Sequence, residues 1–323
     1  MLEYYGVSDG GNFEGANILH LPAGLDAEQP PQLDQARRAL YAVRAERVWP
    51  DFDDKCLAAW NALAIAALAD AGAVLGRDDY LDAARAAAAF VWDEMRGGDG
   101  HLLRSWKDGE AKLNAYLEDH AFLLEALLVL YESTFEVRWF DAARELAETM
   151  IERFSDRDRG GFFTTSNDQE KLIVRRKDVD DRPIPSGSSS AAFGLLRLAA
   201  LTGESSYERQ ALSVFDLFAR VATRHPHAVP HLLRAIDFHL AAVKEVALVA
   251  PAGGDGFGGL DAMVRAELRP HVVVAGAVEG AERPELMLGR SAVEGRAAAY
   301  VCESFSCRSP VTEPDELAHA LDA

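Results

Sequence analysis

Cysteine is scarce in this chain of 323 residues, which has Cys56, Cys302 and Cys307 and no others. These are too few and too unevenly spaced for a disulfide framework or a four-ligand zinc site. Cys56 reads as a core residue. Cys302 and Cys307 lie in Cys302-Glu303-Ser304-Phe305-Ser306-Cys307, a wider spacing than the CxxC of redox motifs. We read them as buried thiols, with a redox or metal role as the alternative. Positive charge is short as well: 33 Lys and Arg against 52 Asp and Glu leave a net charge of −19. Such a surface repels phosphate backbones and anionic lipid, so neither nucleic acid nor a membrane surface is an expected partner, and neutral or cationic small molecules stay open. Met1 to Gly15 has neither the basic nor the apolar region of a signal peptide, and a cytoplasmic location is expected. Long apolar runs are missing too. The most apolar window, Cys56 to Ala69, carries Asn61 and is flanked by Asp53, Asp54, Lys55 and Asp70, which suits a buried helix rather than a membrane span. No nucleophile elbow, Walker motif, HExxH motif or EF-hand loop is found, so no metal or cofactor is expected.

What the chain does have is apolar surface, 49% of its residues, enough to bury a large core. From Gln32 to about Leu240 apolar residues recur at helical spacing, and this predicts helices at about 32–48, 55–75, 78–96, 116–132, 136–154, 187–203, 205–224 and 229–243. An internal repeat orders them. Tyr80-Leu81-Asp82-Ala83-Ala84-Arg85 matches Trp139-Phe140-Asp141-Ala142-Ala143-Arg144 at an offset of 59, and Tyr207 opens a weaker copy 68 residues further on. Each aromatic follows an apolar run that begins at Ala62, Ala121 or Ser189. Each unit is therefore an apolar helix, a turn and an amphipathic helix, and such αα-hairpins stack into a toroid or solenoid with the helices around 55–75, 116–132 and 187–203 inside. The connections around Gly100-His101-Leu102-Leu103 and Gly160-Gly161-Phe162-Phe163, the latter with Leu172 to Arg176, read as β-hairpins on one rim. Past Lys244, three strand-like runs and two helical stretches form a small α/β tail. The expected division is an extended segment 1–31, helical hairpins 32–243 and the α/β tail 244–323.

Several strings together resemble the YyaL-like, spermatogenesis-associated family of thioredoxin-domain proteins, in its barrel portion. They are Gly11-Asn12-Phe13-Glu14-Gly15-Ala16-Asn17, Asp53-Asp54-Lys55 with Trp60-Asn61, Tyr116-Leu117-Glu118-Asp119-His120, Gly160-Gly161-Phe162-Phe163 and Pro185-Ser186-Gly187-Ser188. Tyr300-Val301-Cys302 with Cys307 and Pro310-Val311-Thr312 extend the likeness into the tail. The resemblance implies a mainly α fold, an (α/α)6-barrel-type toroid related to six-hairpin glycosidases and N-acylglucosamine 2-epimerases, with a small C-terminal α/β appendage. It also implies twelve barrel helices and an N-terminal thioredoxin-like domain. Eight helices are legible here, so the toroid is expected to be incomplete, its flanks covered by self-association, a thioredoxin-like domain or a separately encoded N-terminal piece. The thioredoxin redox motif is absent.

The repeat brings Asp53 and Asp54, then Glu118, Asp119 and His120, then Ser186 and Ser188 to equivalent helix N-termini. In an α/α toroid such ends meet at one mouth, and carboxylates, an imidazole and hydroxyls gathered there suit a sugar-type small molecule. Two carboxylates would serve glycoside hydrolysis, and His120, with His101 in reserve, would serve proton abstraction in an epimerase or isomerase. Trp60 or Tyr116 would stack on the ligand, with Asn61 beside Trp60 at the mouth, and Arg175 and Lys177 in the one basic cluster would anchor a carboxylate or phosphate. Against this stands a plainer account in which Asp and Ser cap helices and the basic cluster forms surface salt bridges. A non-catalytic barrel serving as an interaction platform is the corresponding alternative. His225, His227 and His231, between Pro226 and Pro230, are expected at a surface turn, and the glycine-rich string 252–259 is expected to be a flexible turn.

Overall fold

The computed structural model describes residues 1–169, 173–254 and 256–322, in two compact units, Met1–Asp54 and Lys55–Ala323. In the first, Asn12 organises a turn: its Nδ2 donates to Ile18 O at 2.9 Å and its Oδ1 accepts from Ile18 N at 2.8 Å. Helix α1 (Leu33–Ala45) follows, and Leu33 is its buried residue. Sequence reading had counted α1 among the barrel helices; the compact unit instead ends after it, at Asp54.

The second unit begins with β1 (Cys56–Leu57), α2 (Ala58–Leu75) and α3 (Asp78–Glu94). A hairpin of β2 (Leu103–Lys107) and β3 (Glu110–Asn114) follows, and β1 adds antiparallel to β2. Next come α4 (Leu117–Thr134), α5 (Val137–Phe154), α6 (Gly187–Thr202), α7 (Ser205–Arg224) and α8 (Pro230–Leu240). Helices α2, α4, α6 and α8 pack side by side in an inner row, and α3, α5 and α7 each pack back on the preceding inner helix. This is the helical-hairpin toroid arrangement, left open.

The composition of each helix follows its layer. Helix α4 has neighbours on both sides and behind, so Leu123, Leu124, Leu127, Leu128, Leu130 and Tyr131 are all fully buried. Helices α5 and α7 are amphipathic and keep charge outside. Two glycines on α6 permit close approach to α4: a Cβ at Gly194 would sit 2.9 Å from Leu124 Cδ2, and one at Gly187 would sit 2.9 Å from Glu118 N. Helix α2 ends the row within its unit and is only half covered, with Trp60 at 64% and Leu75 at 66% exposure. Of the three helices expected inside, α4 and α6 are buried throughout and α2 on one face.

The repeat extends to details. Gly76, Phe135 and Gly203, separated by the same offsets of 59 and 68, close α2, α4 and α6 in the left-handed conformation at φ 63°, 56° and 72°. Arg85 in the middle of one outer helix pairs with Glu136 before the next at 2.5 Å, and Arg144, at the equivalent place, pairs with Glu204 in the following unit.

The tail carries β4 (Lys244–Ala250), α9 (Leu260–Arg265), β5 (Val272–Val278), β6 (Ala298–Glu303), β7 (Ser306–Cys307) and α10 (Pro314–Asp322). Its sheet runs β5-β4-β6-β7, parallel between β4 and β5 and antiparallel elsewhere. Along β4, Ala247 and Val249 join the main helical core, while Val246 and Leu248 face a second core with Leu260, Val264, Leu317 and Leu321. A strand buried on both faces reads as an unbroken apolar run. The tail is thus continuous with the helices rather than a separate body. Two local expectations concern connections. Among the described residues, the connection after α5 forms one bridge, Ser155 to Phe162, and a bond from Thr164 N to Arg176 O; Leu172, in the expected second run, lies outside them. In the glycine-rich string, Gly253, Gly256, Gly258 and Gly259 all have positive φ, as a turn requires; Asp255 lies outside the described residues.

Candidate functional site

The N-termini of α4 and α6 meet the β2–β3 hairpin and the connection after α5 around a cavity of about 230 Å³. Its wall includes Arg104 of β2, Tyr116 and Glu118 at the start of α4, Thr164, Thr165 and Asp178 from the connection, and Gly187 at the start of α6. The connection is seated on α4 by the bond from Leu117 N to Thr164 O, 3.0 Å. Arg104 Nη1 lies 2.9 Å from both Glu118 Oε1 and Asp119 Oδ2, and its guanidinium stacks over the Tyr116 ring, 4.7 Å to the centroid.

Asp119, next to Glu118, is fully buried and does a different job. Its Oδ2 accepts from Tyr116 N at 2.8 Å, capping α4, and its Oδ1 accepts from Ala59 N at 3.1 Å, at the start of α2. Burial pushes its carboxyl up to about 6, with the Arg104 charge acting the other way. Asp181 has the same role in the next repeat: Oδ1 accepts from Ser186 N, the N-cap of α6, and Oδ2 accepts from His231 N in the first turn of α8, both at 2.8 Å. The two aspartates tie successive inner helices together at their N-termini.

His120 points away from the cavity. Its Nδ1 lies 3.0 Å from Tyr116 O, its ring rests 4.9 Å from that of Phe154, and burial drives it down to about 4. The space it lines, with His101 and Arg153, is about 10 Å³, too small for a substrate. The proton-abstracting role expected of His120, and of His101 in reserve, therefore has no room to operate: the His101 ring nitrogens face the Arg153 guanidinium and Asp99.

The remaining expected residues separate. Ser186 caps α6 by accepting from Ser189 N at 3.1 Å. Ser188 Oγ is buried with no protein hydrogen-bond partner among the described residues. Asn61 Nδ2 bonds Leu57 O at 2.9 Å, within its own helix start, and neither it nor the exposed Trp60 lines the cavity. Asp53 and Asp54 are exposed coil residues closing the first unit, and the N-cap of α2 is Leu57, without a side-chain cap. Arg175 bonds Thr165 O and stacks on Phe163, and Lys177 pairs with Asp156 at 2.7 Å and bonds Gly160 O. Both rivet the connection instead of presenting charge to a ligand. His231 is no surface residue: its Nε2 meets Glu125 Oε1 of α4 at 2.9 Å, both half-buried.

Arg104, Thr164, Thr165, Asp178 and Asp181 escaped sequence reading. Arg104 and the two threonines directly follow the strings 100–103 and 160–163 in the connections read as rim hairpins, so the rim pointed to them, but without a residue-level signal.

Among curated proteins, the chain is similar to spermatogenesis-associated protein 20. The human protein is 30% identical over 359 residues, covering 99% of this chain and 45% of that protein. The rat protein is 28% identical with the same coverage, and the uncharacterised protein B0495.5 of Caenorhabditis elegans is 27% identical over 305 residues, 90% of this chain and 41% of that protein. The chain spans less than half the length of the curated relatives it matches. No protein-family model matches it. Among solved structures, the GH76 α-mannanase of Bacteroides thetaiotaomicron aligns at TM-score 0.44 with 18% identity, over 55% of this chain and 46% of that one. The cellobiose 2-epimerase of Spirochaeta thermophila aligns at 0.43 with 17% identity, over 58% and 55%.

Proposed function

We propose that this homologue of spermatogenesis-associated protein 20 binds a sugar-type small molecule in the cavity between the N-termini of α4 and α6. The observation that carries the reading is the make-up of that wall. One guanidinium, two carboxylates on separate segments, two threonine hydroxyls and a tyrosine surround about 230 Å³. Sugar hydroxyls both donate and accept, so they need carboxylate acceptors, a charged donor and hydroxyls in one small volume. The size falls below the ~300–1,000 Å³ typical of sites for drug-sized ligands, which suits a single ring. Arg104 holds Glu118 in position and lies over one face of the Tyr116 ring, and the ring, 40% exposed, keeps apolar surface for a pyranose.

Glu118 and Asp178 are the pair we assign to any acid–base chemistry on the bound sugar, hydrolytic or epimerising; Asp119 and His120 serve as framework. The framework role of Asp119 also favours a second reading, a non-catalytic barrel, in which a sugar binds without turnover or none binds. A thermal-shift screen against neutral mono- and disaccharides, amino sugars and sugar phosphates tests the reading. A ligand at 100 times its Kd should add about 2.7 kcal/mol of stability. Glu118→Gln and Thr165→Val should abolish the shift while leaving the unliganded melting temperature near that of wild type. Absence of any shift across the panel would remove the sugar-binding reading.

A further inference from the structure

A second cavity, of about 1060 Å³, lies between α6, α7, α8 and the tail. One of its edges is the β6–β7 hairpin, and there Cys302 and Cys307, directly opposite in the ladder, are joined by a disulfide. The expectation of two buried thiols is thereby corrected: antiparallel pairing sets them face to face, although their separation of 5 residues is wider than in a CxxC motif.

We infer that the Cys302–Cys307 disulfide is a redox-active pair that exchanges with an incoming thiolate at Cys307, with Arg290 stabilising the sulfur anions that form. Three observations support it. The two sulfurs are not equivalent, since Cys302 is buried at 1% exposure while Cys307 is exposed and lines the cavity. Arg290 serves both, with Nη2 2.8 Å from Cys307 Sγ and 3.3 Å from Cys302 Sγ. A neighbouring guanidinium is what favours a thiolate over a thiol. Finally, the bond closes a loop that the two-residue turn Ser304-Phe305 already closes, so its stabilising effect through chain entropy is among the smallest a disulfide can have.

The surrounding charges leave Arg290 available for this role. Glu303 of β6 is paired with Lys244 of β4 and Arg308 beyond β7, and Glu285 is paired with Arg144 of α5. Across the cavity His239 of α8 pairs with Glu208 of α7. Burial holds the Arg290 guanidinium below its usual range, while Glu245 of β4, which accepts from Phe305 N at 2.7 Å, and Tyr300 act the other way and favour its charged form.

The chemistry balances as a two-electron exchange. A donor thiolate attacks Cys307 Sγ, forming a mixed disulfide and releasing Cys302 as a thiolate beside Arg290. A second donor thiolate then attacks the donor sulfur of the mixed disulfide and releases Cys307. The donor is oxidised to its disulfide and the protein pair is reduced to two sulfur anions; the protons that the donor thiols lost to solvent on ionising balance those that Cys302 and Cys307 take up when they titrate. The hairpin also seats Phe305 against Gly203 at the end of α6, so the state of the pair bears on the cavity wall.

The test uses the full chain with Cys56→Ser, so that only the pair reacts. It is exposed to glutathione or, at equal thiol concentration, to a reduced protein bearing a CxxC dithiol, followed by alkylation and mass spectrometry. Reduction under native conditions is expected, with faster reaction identifying the donor as small or protein-borne; failure of both donors while the fold persists would overturn the inference. In the reduced protein, Cys307 should alkylate with a midpoint at least one pH unit below the ~8.5 of a free thiol. Arg290→Gln should restore the ordinary midpoint and Arg290→Lys should keep most of the shift. An ordinary midpoint in wild type would equally overturn it, and circular dichroism of each variant checks that it is folded.

Discussion

Asp119 at the start of α4 accepts a hydrogen bond from the backbone N–H of Ala59 at the start of α2, 3.1 Å away and 60 residues earlier in the chain. One carboxylate thus caps its own helix, anchors its neighbour and holds Arg104 against the cavity. Asp119→Ala would strand two backbone donors and take from the half-buried Arg104 one of its two carboxylate partners, and such losses cost about 3–5 kcal/mol. Asp119→Asn keeps an acceptor and should cost less. Urea unfolding of both variants measures this; a loss below about 1 kcal/mol in Asp119→Ala, the net worth of one ordinary hydrogen bond, would show that the helix starts are held by other means.

Acid dependence separates Asp119 from His120. His120 is lowered from 6.5 to about 4, so over that window the unfolded chain binds a proton that the fold refuses, and acidification removes stability. Asp119 is raised from 3.8 to about 6, so the fold binds a proton that the unfolded chain does not, and acidification adds stability. In wild type the two largely cancel between pH 4 and 6. In His120→Gln the aspartate acts unopposed, and relative to wild type the variant should gain about 3 kcal/mol on going from pH 7 to 4. Chemical unfolding across that range reads it, and parallel curves for the two proteins would contradict the burial assigned to His120.

The close approach of α4 and α6 is sharply sensitive to one methyl group. In Gly187→Ala the new Cβ would meet Glu118 N at 2.9 Å and Leu117 Cγ at 3.0 Å, on the wall of the cavity. Overpacking of this kind costs about 1–3 kcal/mol, whereas Gly98→Ala, with nothing within 4 Å, should be nearly neutral. Calorimetric melting of the pair should rank them in that order, and equal melting temperatures would mean that the helices can separate without cost.

The helices were legible in the sequence because burial imposes a period, and the repeat at offsets 59 and 68 located α2, α4 and α6 to within a few residues. The strands of the tail were legible for the same reason, since β4 is buried on both faces. The site was less so. Glu118 and Asp119 are adjacent and look alike, yet one side chain faces a cavity and the other a helix junction, a difference set by the turn at Tyr116 and not by residue type. Arg175 and Lys177 looked like an anion anchor, but their partners are backbone carbonyls and Asp156, which no local pattern announces. Arg104 and Asp178 lie in non-periodic connections, where only tertiary structure assigns a neighbour. Cys302 and Cys307 meet through strand register, which motif spacing does not report.

Amide hydrogen exchange, with and without the sugar that raises the melting temperature most, reads the binding site directly. Occupancy of the cavity between α4 and α6 predicts slower exchange at Leu117, Glu118, Thr165 and Gly187, absent in Glu118→Gln. Protection confined to 199–208 and 285–307, around the larger cavity, or no protection at all, would contradict it.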